Sequence, residues 1–265
     1  MDLSSVSPVE LQQELVSPAA PVLVDVRAEA AFLQSDAFIA GALRRSPEGK
    51  ADWERSLPDD RPIVVYCEKG GEVGANAAGH LLAGGRGARF LIGGMRGWVH
   101  DGGVTLPKPV GSATLWVTRE RPKIDRIACP WLISRFIDSN AAFLYVKAKV
   151  VSEIARKERA IPFDIPDTLF SHEGDLCSFD AFLKVFRIDD PALLVLARII
   201  RGADTGRLDL APECAGLLAA SLGLSRLRSD DHEMLRDGMV LYDSLYLWAR
   251  DGLKETHTWN PDLYR

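Results

Sequence analysis

A cysteine set between a short β-branched run and a glycine-containing loop has the makings of a nucleophile. Cys67 follows Ile63–Tyr66 and precedes Glu-Lys-Gly-Gly-Glu-Val-Gly74, after which an Ala/Leu-rich stretch reads as a helix. The adjacent Gly70 and Gly71 permit a tight loop in which the N–H groups of Glu68, Lys69, Gly70, Gly71, Glu72 and Val73 converge on one point. The helix that follows adds its positive end. Together these stabilise a thiolate, the form of cysteine that attacks an electrophile. The alternative is a cysteine buried at a strand end, a common place for a free thiol.

Two further constellations lie in the second half. Phe163-Asp164 and Ser171-His172-Glu173-Gly174-Asp175-Leu176-Cys177 bring imidazole, thiol and carboxylates close together in sequence, and Arg201-Gly-Ala-Asp204 adds another acid. Neutral imidazole, thiolate and carboxylate suit Zn or Fe, so His172, Cys177 and Asp204 are the candidate metal ligands. The spacing matches no standard zinc signature, and these acids could equally cap helices. The segment Leu115–Asp138 carries Arg119, Arg121, Lys123, Arg126 and Arg135 against three acids. Arginines offer paired donors to a tetrahedral oxyanion, which makes Arg126, Arg135 and Arg201 candidate ligands for one. A solvated face with ion pairs would have the same composition.

The elements that must position these groups differ between the halves. The chain has 265 residues, room for one large domain or two modest ones, with 47% hydrophobic and 26% charged residues, so it is not a disordered chain. Thr105–Ser112 holds two prolines and a glycine and is the best linker candidate, giving domains at 1–106 and 115–265 with a linker at 107–114. Before it, Pro21–Val26, Pro62–Tyr66 and Arg89–Ile92 read as buried parallel strands, alternating with helical stretches at Pro8–Val16 and Gly74–Leu82. That alternation predicts an α/β domain, a parallel sheet with helices on both faces. After it, strands are expected at Leu115–Thr118, Ala142–Val146 and Ala160–Phe163. Helices are expected at Asp125–Asp138, Val150–Lys157, Phe179–Phe186, Ala192–Arg201, Glu213–Leu222 and Ser229–Arg250, which makes a helix-rich α+β domain.

Net charge is -5, which argues against a general nucleic-acid binder. The first eight residues lack the basic and apolar regions of a signal peptide, and no apolar run reaches the ~18 residues that span a bilayer. Four cysteines with no Cys-x-x-Cys pair suggest neither a zinc ribbon nor a disulfide framework. The expectation is a reduced, cytoplasmic protein with no membrane partner.

Four segments in order, Val22-Leu-Val-Asp-Val-Arg27, Ile39-Ala-Gly-Ala42, Val64-Val-Tyr-Cys-Glu-Lys-Gly70 and Leu91-Ile-Gly-Gly-Met-Arg-Gly-Trp98, make residues 6–104 resemble a rhodanese (sulfurtransferase) domain. The resemblance implies that Cys67 takes a sulfane sulfur from a donor as a persulfide and passes it to a thiol or oxyanion acceptor. It also implies that loop amides cradle the transferred group. Many active rhodaneses carry an arginine and then a serine late in this loop, where Glu72 and Val73 stand here. With Glu68, Lys69 and Glu72 the loop sums to -1, which repels a dianion such as thiosulfate. Val73 also speaks against phosphatase chemistry. Asp25 and Arg27 read as a structural pair.

Residues 115–250 resemble the C-terminal domain of chromate-resistance proteins of the ChrB type. The carrying segments are Asp125-Arg-Ile-Ala-Cys-Pro-Trp-Leu-Ile133 with Arg135–Asp138, Ile161–Asp164, His172 with Cys177–Phe179, Ile200–Asp204, and Tyr242–Tyr246 with Trp248. This implies a link to chromate tolerance in bacteria, with chromate itself a candidate ligand. Two readings follow: a sulfurtransferase with an acceptor-, oxyanion- or metal-binding second domain, or a non-catalytic chromate or metal sensor or docking protein.

Overall fold

The computed structural model describes residues 3–17, 20–48, 53–109, 111 and 113–255. It forms two compact units, Met1–Arg119 with Leu132–Thr168, and Glu120–Trp131 with Leu169–Arg265.

In the first unit a five-stranded sheet runs β1 (Ser5–Val6), β6 (Ala88–Leu91), β5 (Ile63–Tyr66), β2 (Val22–Asp25), β4 (Leu43–Arg44), every pair parallel. Strands β2 and β5 pair in register from Val22↔Ile63 to Asp25↔Tyr66 and are buried along their whole length. That is why their sequences are continuously apolar rather than alternating. Val22, Val24, Ile63, Val65 and Cys67 share one core with Ala77, Ala78 and Leu81 of helix α3 (Glu72–Ala83). Leu23, Val64 and Tyr66 share the opposite core with Leu11 of α1 (Pro8–Leu15) and Met95 and Trp98 of α4 (Gly94–His100). Ser7 starts α1 with a capping box to Glu10. The expected α/β domain, with helices on both faces of a parallel sheet, is the fold observed.

A buried ion pair sits in this sheet. Arg27 Nε and Nη2 donate to Asp25 at 2.9 and 2.7 Å, both side chains are fully buried, and the Tyr66 hydroxyl donates to Asp25 at 3.0 Å. Burial alone would pull the Arg27 guanidinium down, but its bonds to Asp25 leave it raised. The first unit also holds a smaller parallel sheet, β10 (Ile161–Pro162), β8 (Leu115–Arg119), β9 (Ala142–Val146), packed against α6 (Val151–Glu158). Thr105–Pro107 forms β7, antiparallel to β3 (Ala37–Ile39).

The second unit is helical. It contains most of α5 (Asp125–Leu132), then α7 (Ser178–Phe186), α8 (Pro191–Asp204), α9 (Cys214–Leu227) and α10 (Asp231–Leu247). Trp131 anchors it, with ring centroids 6.5 Å from Phe179, 6.1 Å from Tyr242 and 5.8 Å from Tyr246. A second aromatic stack joins Phe170, Phe182 and Phe186.

Three local expectations are corrected. The helix expected over Asp125–Asp138 is α-helical only to Leu132 and continues as a wider π-turn, Ile133–Ile137. Pro130 removes an N–H donor from this helix just before the change. Helix α10 begins at Asp231 rather than at Ser229, capped by Asp230, which accepts from the His232 and Glu233 amides. Helix α3 begins at Glu72, so Glu72 and Val73 belong to its first turn and not to a loop.

Candidate functional site

Cys67 comes directly after β5 and lines a pocket of about 440 Å³ together with Ala28, Ala31, Glu68, Lys69, Gly71, Glu72, Val73 and Arg96. The residue is only 5% exposed, so what it shows to solvent it shows into this pocket. Its Sγ lies 4.0 Å from the Gly71 carbonyl oxygen. A side-chain carbon at position 74 would sit 3.4 Å from the sulfur, an ordinary van der Waals contact, so the first turn of α3 packs directly against Cys67.

The loop is held by main chain. Gly70 and Gly94 have φ of +67° and +57°, and a side chain at either would overlap the opposing backbone, Gly93 and Gly94 in one case and the Cys67 carbonyl in the other. The Met95 amide donates to the Cys67 carbonyl at 2.8 Å and the Arg96 amide to that of Glu68 at 3.1 Å. The glycines at 70, 93 and 94 therefore let the loop and the start of α4 touch.

Of the six loop positions named from sequence, five line the pocket, and Gly70 makes the turn instead. Sequence reasoning passed over Arg96. Its Nε donates to Glu68 Oε1 at 3.0 Å, and it lines the same pocket. With Arg96, the acids Glu68 and Glu72 face two bases, so the wall is formally neutral rather than -1. Asp25 and Arg27 lie in the buried network already described. Trp98 is buried and its indole donates to the Val104 carbonyl, while His100 is exposed. His80 pairs with Glu54 at 3.2 Å.

A second constellation belongs to the helical unit. Asp125, 1% exposed, accepts the Ser178 amide at 2.6 Å and the Phe179 amide at 3.3 Å, the first N–H groups of α7. His172 Nε2 lies 3.5 Å from Asp125 Oδ2 and 3.3 Å from Asp204 Oδ2. Cys177 is fully buried ahead of α7, and its amide donates to Asp180 at 3.0 Å. Burial pushes its thiol far up, and the charges of Asp125 and Asp180 push it further. The structure thus brings His172 and Asp204 together as the sequence suggested, with Asp125 as a partner the sequence did not single out. Asp164 lies in the first unit, bonded to Arg119 at 2.7 Å.

The three arginines have separate surroundings. Arg201 makes a forked pair with Asp180 at 2.9 and 2.6 Å, which raises its guanidinium. Arg126 donates to the Glu120 carbonyl at 2.9 Å. Arg135 is exposed on the π-turn of the first unit. Arg126 and Cys129, three residues apart, differ in environment: Arg126 is half-buried and Cys129 fully buried.

Residues 116–249, half of the chain, match the family model described as ChrB, C-terminal domain. The chain belongs to that family. Residues 7–101 match the model of the rhodanese-like domain. The chain is 39% identical over 135 residues to Protein ChrB of Cupriavidus metallidurans, an alignment covering 49% of this chain and 39% of that protein. This chain therefore spans well under two thirds of its relative. The chain is also similar to a rhodanese-related protein from Thermoplasma volcanium, at 20% identity and a TM-score of 0.36, covering 40% of this chain and 99% of the other. It is also similar to a full-length protein from Lactobacillus plantarum, at 24% identity and a TM-score of 0.37, covering 39% and 88%. The ChrB C-terminal match draws residues from both compact units. Among the described residues no helix is long and apolar enough to cross a membrane.

Proposed function

We propose that this chain is a sulfurtransferase-type protein of bacterial chromate resistance, working in the cytoplasm. Cys67 carries a persulfide, and the ChrB C-terminal region receives the acceptor or an oxyanion such as chromate. The observation that carries the reading is the placement of Cys67, the floor of a pocket walled by its own loop and the first turn of α3.

The chemistry needs no outside oxidant. The Cys67 thiolate attacks the sulfane sulfur of a donor R–S–SH; the donor S–S bond breaks, R–S⁻ leaves, and Cys67 becomes Cys–S–SH. An acceptor thiolate then attacks the terminal sulfur and Cys67 leaves as thiolate. Helix-start and loop amides stabilise the anion at each stage, and Arg96 balances the acids of the wall. The neutral wall favours a singly charged persulfide donor over thiosulfate.

Incubation with an alkyl persulfide followed by intact-mass measurement tests this. Wild type gains one sulfur and Cys67→Ser gains none; equal labelling of the two would remove Cys67 from the reaction. The 5% exposure of Cys67 is what favours the second reading, a rhodanese-like docking module with a chromate- or metal-sensing partner region. Under that reading no donor labels the wild type.

A further inference from the structure

The pocket over Cys67 has a neighbour. A second hollow, of about 380 Å³, is lined by Ser35, Ala37, Met95, Val99 and His100 together with Glu68 and Arg96. Glu68 and Arg96 also line the Cys67 pocket, so the pair stands where the two hollows meet. We propose that Arg96 selects the sulfur acceptor by binding a carboxylate on it, so that the acceptor is a small carboxylate-bearing thiol. The proposal rests on the persulfide reading of Cys67.

The guanidinium is held on one side and open on the other. Its Nε donates to Glu68 Oε1 at 3.0 Å, and the Arg96 amide donates to the Glu68 carbonyl at 3.1 Å. Among the described residues Nη1 and Nη2 make no bond, and the side chain is 66% exposed. That outer edge presents two parallel donors, the geometry that matches the two oxygens of a carboxylate. Lys69, on the same wall, is exposed, and no bond among the described residues holds its ammonium. It is a point charge on a flexible stem and not a fork.

The rest of the wall narrows the class of ligand. Glu68 and Glu72 disfavour a multiply charged group, so a single planar carboxylate suits the site better than a tetrahedral dianion. Ala28, Ala31 and Val73 offer carbon surface for a short alkyl stem. With its carboxylate on Arg96, the acceptor thiolate attacks the terminal sulfur of the Cys67 persulfide. An S–S bond to the acceptor forms, the bond to the Cys67 sulfur breaks, and Cys67 leaves as thiolate.

The test loads the full chain with an alkyl persulfide and removes the excess. Discharge by mercaptopropionate and by its neutral counterpart, mercaptopropanol, is followed by intact mass at equal thiolate concentration. Wild type should discharge to the carboxylate about fivefold faster at low salt, the scale of one exposed ion pair. In Arg96→Gln the ratio of the two rates should fall to about one. In Arg96→Gln/Glu72→Gln, whose wall is neutral again, it should stay there. Taking the ratio within each variant cancels any change in folding or loading. Three results would overturn the role of Arg96: equal rates in wild type, a preference restored in the double variant, or one that Lys69→Gln abolishes and Arg96→Gln keeps. Failure of the wild type to load would instead overturn the sulfur chemistry on which that role depends.

Discussion

Two thiols in this chain stand ahead of a helix, and they meet opposite surroundings. Cys67 precedes α3 and opens into a pocket whose acids are matched by Lys69 and Arg96. Cys177 sits directly before α7, fully buried, with Asp125, Asp180 and Asp204 all raising its thiol. A helix start favours an anion by about 0.3–1 kcal/mol, whereas burial can shift an ionising group by up to about 3–5 pKa units. At position 177 burial wins. The lesson is that a cysteine before a helix is not in itself a reactive site; access and the charges behind it decide.

The ion pairs of the two regions offer the strongest way to break this contrast. Asp25–Arg27 is fully buried, while in Asp180–Arg201 the arginine keeps 26% of its side-chain surface exposed. Arg27→Met leaves a buried, unpaired carboxylate and should cost about 3–5 kcal/mol in urea unfolding. Arg201→Met should cost only about 1–3 kcal/mol, since water reaches the site. Equal losses would show that the two regions are buffered alike.

A smaller effect is expected from the pocket wall. Glu72→Arg takes the wall from neutral to +2 and should raise the second-order rate of sulfur uptake from thiosulfate by roughly tenfold at low salt, with the gain fading as salt rises. A gain independent of salt would mean that the wall charge does not set donor choice.

Much of this organisation was legible in the sequence, for physical reasons. Strands β2 and β5 are buried on both sides, so their residues announce themselves as unbroken apolar runs. The long helices carry their own stops and caps, as Asp190 with Pro191 shows at the start of α8. Strands β1 and β4 have two residues each, too few for any period, and exist only because the sheet extends to them. The Cys67 loop was visible because its parts are contiguous. Arg96 was not, because it reaches Glu68 across 28 residues. Asp125 reaches the Ser178 amide across 53 residues, a contact made by the fold rather than by local pattern. The sequence therefore offered Cys177, the nearer neighbour of His172 along the chain, and passed over Asp125, which the fold brings to 3.5 Å from His172.

The most direct test of the contrast is site-resolved alkylation of the folded protein. Iodoacetamide is added under native conditions, and peptides are quantified by mass spectrometry over time. Cys67 should be modified first and, after treatment with a persulfide donor, carry its carbamidomethyl group through one additional sulfur, with Cys177 labelled only once the protein is unfolded. Labelling of Cys177 as fast as Cys67 in the folded chain would contradict the account.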